Sequence, residues 1–202
     1  MNQRLRSYAA ATGLLLSAMT AMTAAHAADY AAILTGAKES PANSSPGIGA
    51  AVVKFDTTSH VLEVNVAFSS LLGPTTASHI HCCTDVPNIG TAGVATETPT
   101  FGGFPLGVTN GAYSNMYNTS LAASWNPVFI TSHGGTTAGA EAALAAALAS
   151  GEAYLNIHSS AYPGGEIRGF LVAAAVPEPA TIGMLGLGIP AVLLMARRRR
   201  KA

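Results

Sequence analysis

Positive charge is scarce in most of this chain. Ten lysines and arginines balance ten aspartates and glutamates over 202 residues, so the formal net charge is zero. Seven of the ten cations lie in the two terminal segments, which leaves residues 28–176 with three cations against nine acids, or about −6. With only Lys38, Lys54 and Arg168 in that span, no basic face is available to neutralise phosphates. The composition excludes nucleic-acid binding and predicts one mildly acidic domain of about 150 residues.

Cysteine is equally scarce, because the only two in the chain, Cys82 and Cys83, are neighbours. Neighbouring cysteines bond to each other only through a small vicinal ring. An oxidising compartment favours such a vicinal disulfide. Two free thiols, bridges to another chain, and thiolates that hold Cu(I) beside His81 are the alternatives that the sequence leaves open.

The N-terminal segment has the pattern of an export signal. Arg4 and Arg6 precede an apolar stretch over 9–22, and residues 25–27 read Ala-His-Ala, a small-x-small cleavage site. This order predicts a secretory signal peptide over 1–27 that is cleaved after Ala27. We therefore expect the chain to be exported.

The C-terminal segment, 176–202, combines a short motif, an apolar run and a basic cluster. The motif is Pro177-Glu178-Pro179, the apolar run covers 180–196, and the basic tail 197–201 comprises Arg197, Arg198, Arg199, Arg200 and Lys201. A helix of this length reaches roughly 25 Å, near the lower limit for crossing a bilayer, and the cations after it are expected to stay cytoplasmic. An ordinary single-pass anchor is one interpretation. The ordered set resembles the PEP-CTERM sorting signal of exopolysaccharide-producing Gram-negative bacteria.

That resemblance implies partners and a destination. The implied partners are the secretion machinery and an exosortase, a membrane cysteine protease that removes the tail near the motif. The inner membrane is expected to hold the chain transiently. The implied location after processing is the cell surface or the extracellular space.

Between the two ends, which are expected to form the signal and membrane helices, short apolar segments alternate with turn residues. Predicted strands cover 31–35, 50–55, 61–68, 76–81, 114–118, 153–158 and 166–173. The Ala-rich segment 137–150 predicts one short helix that ends at Gly151. Segment 121–130 is ambiguous, and the long loop 84–110 indicates a binding surface or structure without a clear pattern. The domain 28–175 is therefore predicted to be mostly β, an antiparallel sandwich or barrel.

Three histidines are expected on the polar faces of two strands. His79 and His81 share one face of their strand, and Tyr154, Asn156 and His158 share one face of another. If the two strands are neighbours, three imidazoles meet. Neutral imidazole suits copper or zinc, and three ligands leave a position for water or substrate. The alternative is that these histidines only bind loop backbones and hold no metal.

Several further residues are candidates for a fourth ligand or for orienting the imidazoles. They are Cys82, Cys83, Asp85, His133 and Glu166. Glu166 also lies two residues from Arg168 on one strand face, which predicts a surface ion pair worth about 0–1 kcal/mol.

Four segments, in this order, resemble the motifs of the CHRD domain, first described in chordin. They are LTGAKESP at 34–41, ASHIH at 77–81, GEAYLNIH at 151–158 and PGGEIRG at 163–169. The resemblance covers about 31–172 and implies an immunoglobulin-like sandwich or a barrel akin to Cu/Zn superoxide dismutase. By that kinship His79 and His81 resemble the paired copper ligands and His158 the third. The bridging histidine and the zinc aspartate of the dismutases have no counterpart here, and their disulfide joins distant cysteines.

Three functions follow from these observations. The first is a non-catalytic surface or matrix module that binds polysaccharide or other surface proteins, favoured by the sorting signal and by the lack of a convincing nucleophile or acid–base pair. The second is copper or zinc binding through the three histidines. The third is a redox enzyme of the dismutase type. The chain is expected not to be an enzyme.

Overall fold

The structure is a computed structural model and describes residues 28–174. The signal peptide predicted over 1–27 and the sorting signal predicted over 176–202 lie outside the described residues. Within 28–174, no helix is both long and apolar enough to span a bilayer.

Eight strands form one curled antiparallel sheet, a half-barrel, in the order β4-β6-β7-β1-β2-β3-β5, with β8 paired to β1. The strands are β1 Ala28–Thr35, β2 Ile48–Asp56, β3 Val61–Ser69, β4 Thr75–His81, β5 Gly111–Asn118, β6 Tyr154–Ser159, β7 Ile167–Phe170 and β8 Val172–Ala173. The prediction of a mostly β, antiparallel fold is confirmed. The predicted last strand is divided at Leu171, whose side chain is fully buried.

The hydrophobic core lies against one face of this sheet. Residues of β2 and β3 alternate between buried and accessible positions, as expected for strands with one covered face. Leu34 of β1, Val53 of β2, Val64 of β3 and Leu155 of β6 are fully buried in that core. In β6 the core residues Leu155 and Ile157 alternate with Tyr154, Asn156 and His158, so these three side chains lie on the opposite face.

Two helices cover the core. α1 spans Pro127–Ser132 and α2 spans Thr137–Ser150, so α2 has the bounds that the sequence predicts. α2 begins at a Thr136 side chain that accepts from the Gly139 amide, and it ends at Gly151, whose φ of 77° is readily adopted by glycine. Within the ambiguous segment 121–130, α1 begins because the Asn126 side chain caps it.

The 84–110 segment covers the outer edge of β4 and contains none of the eight strands. Thr96 and Thr100 in this segment accept hydrogen bonds through their hydroxyls from the Ile80 and Ser78 amides. The loop therefore lies over the edge of the strand that bears His79 and His81. β4 is held between this loop and β6.

Candidate metal centre

The sheet brings the three predicted histidines together. β4 pairs with β6, so His79 and His81 of one strand and His158 of the other share the face opposite the core. One ring nitrogen of each histidine lies within 4.8 Å of the other two. The ring centroids are 5.4 Å apart for His79 and His158, and 5.7 Å apart for His79 and His81. Strand pairing, which the sequence left open, builds the cluster.

Each imidazole is oriented by a backbone carbonyl of a neighbouring loop. The hydrogen bonds run from His79 Nε2 to Pro99 O (2.6 Å), from His81 Nδ1 to Ala92 O (2.9 Å) and from His158 Nδ1 to Pro163 O (2.9 Å). Because a carbonyl oxygen only accepts, the bonded ring nitrogen carries the proton and the other one presents a lone pair. Histidines that bind metals are commonly oriented in this way.

The environment keeps these imidazoles neutral. Burial lowers the pKa of His81 to about 4, and the carbonyl of Ala92 opposes that shift. Burial likewise lowers the pKa of His79 and of His158. Neutral imidazole is the form that binds a metal, so the cluster needs little proton release before it takes up a cation.

The residues present fit copper or zinc. His79 Nδ1, His81 Nε2 and His158 Nε2 are buried and have no hydrogen-bond partner within residues 28–174. Leaving buried lone pairs unpaired costs free energy, and a cation bound by all three would recover it. Imidazole nitrogens suit both copper and zinc, and three of them leave room for another donor.

Four of the five further candidates lie outside the cluster for plain structural reasons. Cys82 and Cys83 are bonded to each other, so neither offers a thiolate. Asp85 is exposed to solvent. His133 follows α1, where its Nδ1 lies 2.8 Å from the Phe129 carbonyl. Among the histidine, cysteine, aspartate and glutamate side chains of the described residues, the group that could hold a metal contains only the three histidines.

Glu166, the fifth candidate, serves the fold instead. Glu166 and Arg168 are 0% and 5% exposed, so the prediction of a surface ion pair is wrong. Glu166 accepts hydrogen bonds from Ser45 Oγ and from the Leu72 amide, both at 2.6 Å. Two loops thus fold over β7 and meet at this carboxylate. Its oxygens are committed there and do not join the histidines.

A second polar group adjoins the histidines on the same face of the sheet. The Tyr154 ring stacks on His81 with centroids 4.8 Å apart, and the Arg168 guanidinium lies 4.7 Å from the same ring. Glu39 lies 3.8 Å from Arg168, and burial raises the pKa of Glu39 to about 7 although Arg168 opposes that shift. The sequence placed Tyr154 on the His158 face, but it contained no signal that Glu39 and Arg168 would continue the polar surface.

The sequence left open that the histidines bind loop backbones, and each ring does so, but it did not indicate which carbonyls would accept. Ala92 and Pro99 belong to the long 84–110 segment, whose length was the only hint of a role. A carbonyl is present at every residue, so its function depends on where the loop lies. The carbonyls that orient the histidines therefore depend on how the loops fold and not on residue type.

Comparison with known proteins gives two matches along the chain. A family model of the CHRD domain matches residues 30–171, and a model of the PEP-CTERM protein-sorting motif matches residues 175–201. No curated protein and no solved structure matches the chain.

Proposed function

The chain belongs to the CHRD family and carries a PEP-CTERM sorting motif, and we propose that it is an exported, non-catalytic protein that binds copper through His79, His81 and His158. The observation that carries this proposal is the set of three buried, unprotonated ring nitrogens within 4.8 Å of one another. The sorting motif marks the chain for export, transient attachment to the inner membrane and processing by an exosortase.

Copper is favoured over zinc by the ligands and by the compartment. Among divalent first-row metals, a given nitrogen site binds Cu²⁺ more tightly than Zn²⁺. An exported chain meets metal outside the cytosol, and its disulfide is compatible with an oxidising space. When bound, copper would supply a redox-active cation. His79, His81 and His158 would hold it, while the Ala92, Pro99 and Pro163 carbonyls orient their rings.

The surface-binding function that the sequence favoured first becomes the second candidate. Its support is an open groove of about 910 Å³ beside the polar face. Ile33, Val52, Phe170 and Val172 form its apolar walls, and Arg168 contributes a polar group. This groove offers contact area for a polysaccharide or a surface protein. The histidine cluster is the more specific feature, because three neighbouring imidazoles rarely all keep a buried nitrogen without a hydrogen-bond partner.

The proposed function predicts the metal content of the protein. The processed protein, expressed as the full chain with its own signals in its native host and purified after export without chelators, should contain about one copper per molecule, as expected for a single three-imidazole site. Elemental analysis by mass spectrometry measures copper and zinc together. A protein that is metal-free and takes up less than a tenth of an equivalent of Cu²⁺ on titration contradicts the proposal.

The sorting motif yields a separate prediction. Glu178 is the acid at the centre of Pro177-Glu178-Pro179, and replacing it with alanine should slow removal of the tail by at least about tenfold, the scale of losing one charged recognition contact. Pulse-chase labelling followed by gel electrophoresis measures processing. Glu152→Ala, in the domain itself, is the matched control. Wild-type processing of Glu178→Ala would argue against exosortase recognition of this motif.

A further inference from the structure

Unpaired buried polar atoms are concentrated at one place in the domain. Within residues 28–174, five buried side-chain nitrogen or oxygen atoms lack a hydrogen-bond partner. Three are the ring nitrogens of the histidine cluster. The fourth is Asn156 Oδ1, on the same strand as His158, and the fifth is Glu39 Oε1. Since most buried polar groups are paired, this concentration calls for a common cause.

Strand register places Asn156 at the centre of the cluster. In the β4–β6 pair, His79 is directly opposite Asn156, while His81 is opposite Tyr154 and Ala77 is opposite His158. Asn156 is therefore the cross-strand neighbour of one histidine and lies two residues before another on the same face. Only 2% of its surface is exposed.

Strand register also places Asn156 near the third histidine. His81 pairs with Tyr154, which lies two residues before Asn156, so His81 and Asn156 are diagonal neighbours on the two strands. Asn156 is thus directly opposite His79, diagonal to His81 and two residues before His158. Asn156 is the only asparagine in β6.

These four atoms have the same chemical character. An amide oxygen only accepts hydrogen bonds, and each cluster nitrogen is also an acceptor because its partner nitrogen donates to a carbonyl. Four buried acceptors without a donor are costly, and a cation bound among them would recover that free energy. An amide oxygen is a known weak, distant ligand of copper beside imidazoles.

From this arrangement we propose that Asn156 is a fourth metal ligand, bound through Oδ1, which completes a three-imidazole, one-amide copper site. The inference rests on the proposed copper-binding function and adds a donor to it. The three imidazoles supply most of the affinity, and the neutral amide oxygen is a weaker ligand that tunes the electronic structure of the bound ion.

The Asn156 side chain is closely packed on the side that faces Gly165. A methyl group on Gly165 would lie 2.7 Å from Glu39 Oε1 and 3.0 Å from Asn156 Nδ2, so glycine is required for these side chains to approach. Glu39 is in turn held beside Arg168. Asn156 lies between His79 of β4 and Arg168 of β7, which are its partners on the two neighbouring strands.

The test compares two substitutions of Asn156 in protein that is expressed as the full chain and purified after export, using Cu²⁺ alone as the probe. Asn156→Leu keeps the side-chain size and removes the oxygen, so the affinity for Cu²⁺ should fall about tenfold, the lower end of losses seen when a group beside a metal is removed. Asn156→Asp keeps an oxygen at the same place and adds charge, so its affinity should equal or exceed that of the wild type. Asn65→Leu, on β3, is the matched control.

Electron paramagnetic resonance of the copper-loaded proteins gives the second readout. Asn156→Leu and Asn156→Asp should each change the copper hyperfine splitting, because the donor set changes, while Asn65→Leu should not. If Asn156→Leu does not fold, the Asn156→Asp spectrum decides alone. Copper binding by the wild type with unchanged affinity and spectrum in the Asn156 variants overturns this inference only. Failure of the wild type to bind copper overturns the proposed function itself.

Discussion

Replacing both His79 and His81 with alanine is expected to lower the affinity for copper by at least about four orders of magnitude. Structural metal sites with four ligands bind with roughly 10–16 kcal/mol, or about 3 kcal/mol per ligand. Losing two of the three imidazoles should then cost about 6 kcal/mol, which corresponds to a factor of about 10⁴ in the dissociation constant. Competition with a chelator of known affinity measures this difference.

The control for this double variant is His133→Ala. His133 is a histidine of the same domain whose ring bonds to the Phe129 carbonyl outside the cluster. It should bind copper as the wild type does, which separates the cluster from adventitious binding by any imidazole. If the double variant retains copper within about tenfold of wild-type affinity, the histidines are not the ligands.

Thermal stability provides an independent measurement of the same effect. A ligand that binds only the folded state stabilises it by about 4 kcal/mol at a thousand times its dissociation constant. The melting temperature of the wild type should therefore rise when copper is added. The His79→Ala, His81→Ala variant should show no rise, even if removal of two buried rings changes its own melting temperature.

The elements with a strong local pattern were predictable from the sequence. α2 has the predicted bounds Thr137–Ser150, because alanine favours helix along its whole length and Gly151 ends it. β3 differs from its prediction by one residue, because alternation in Val61–Ser69 is nearly complete. The local sequence of each element is enough to predict it, so little information about tertiary contacts was needed.

Other bounds were set by pairing across the sheet. β5 begins at Gly111, three residues before its prediction, and glycine and alanine are poor strand formers. Gly111 nevertheless pairs with Phe68 and Ala112 with Ala67, so β3 extends the strand. The approach of β4 to β6 is of the same kind. The histidine-bearing face of each strand could be predicted from its own sequence. Whether the two faces lie side by side depends on the pairing of β4 with β6.

Burial of Glu166 is the clearest case in which local sequence misleads. Two opposite charges two residues apart on a strand indicate a solvated pair. The structure instead directs donors from distant segments, Ser45 and Leu72, to the carboxylate. Nothing within β7 predicts that these loops converge there, and the consequence for stability is correspondingly large.

Replacing Glu166 with alanine is expected to lower the free energy of unfolding by about 3–5 kcal/mol. Each buried donor left without an acceptor costs about 1–3 kcal/mol, and Ser45 Oγ, the Leu72 amide and the Gly73 amide all donate to this carboxylate. Urea unfolding followed by circular dichroism measures the change. Asp85→Ala, which removes an exposed acid, should change it by less than about 0.5 kcal/mol.

Glu166→Gln removes the charge of this side chain and keeps its shape. The pH dependence of the free energy of unfolding then shows whether the charge stabilises the fold. Burial alone would raise the pKa of Glu166, but hydrogen bonds from Ser159, Ser45 and the loop amides outweigh it, so the folded-state pKa lies below the ordinary value of 4.5. A depressed carboxyl pKa stabilises the fold above the unfolded-state pKa, and that contribution is lost as the pH falls through the folded-state pKa. The wild type should therefore exceed Glu166→Gln in stability at pH 7, and the gap should close on acidification below about pH 4. A gap that stays constant down to pH 3 would mean that the charge contributes nothing and that shape alone holds the loops.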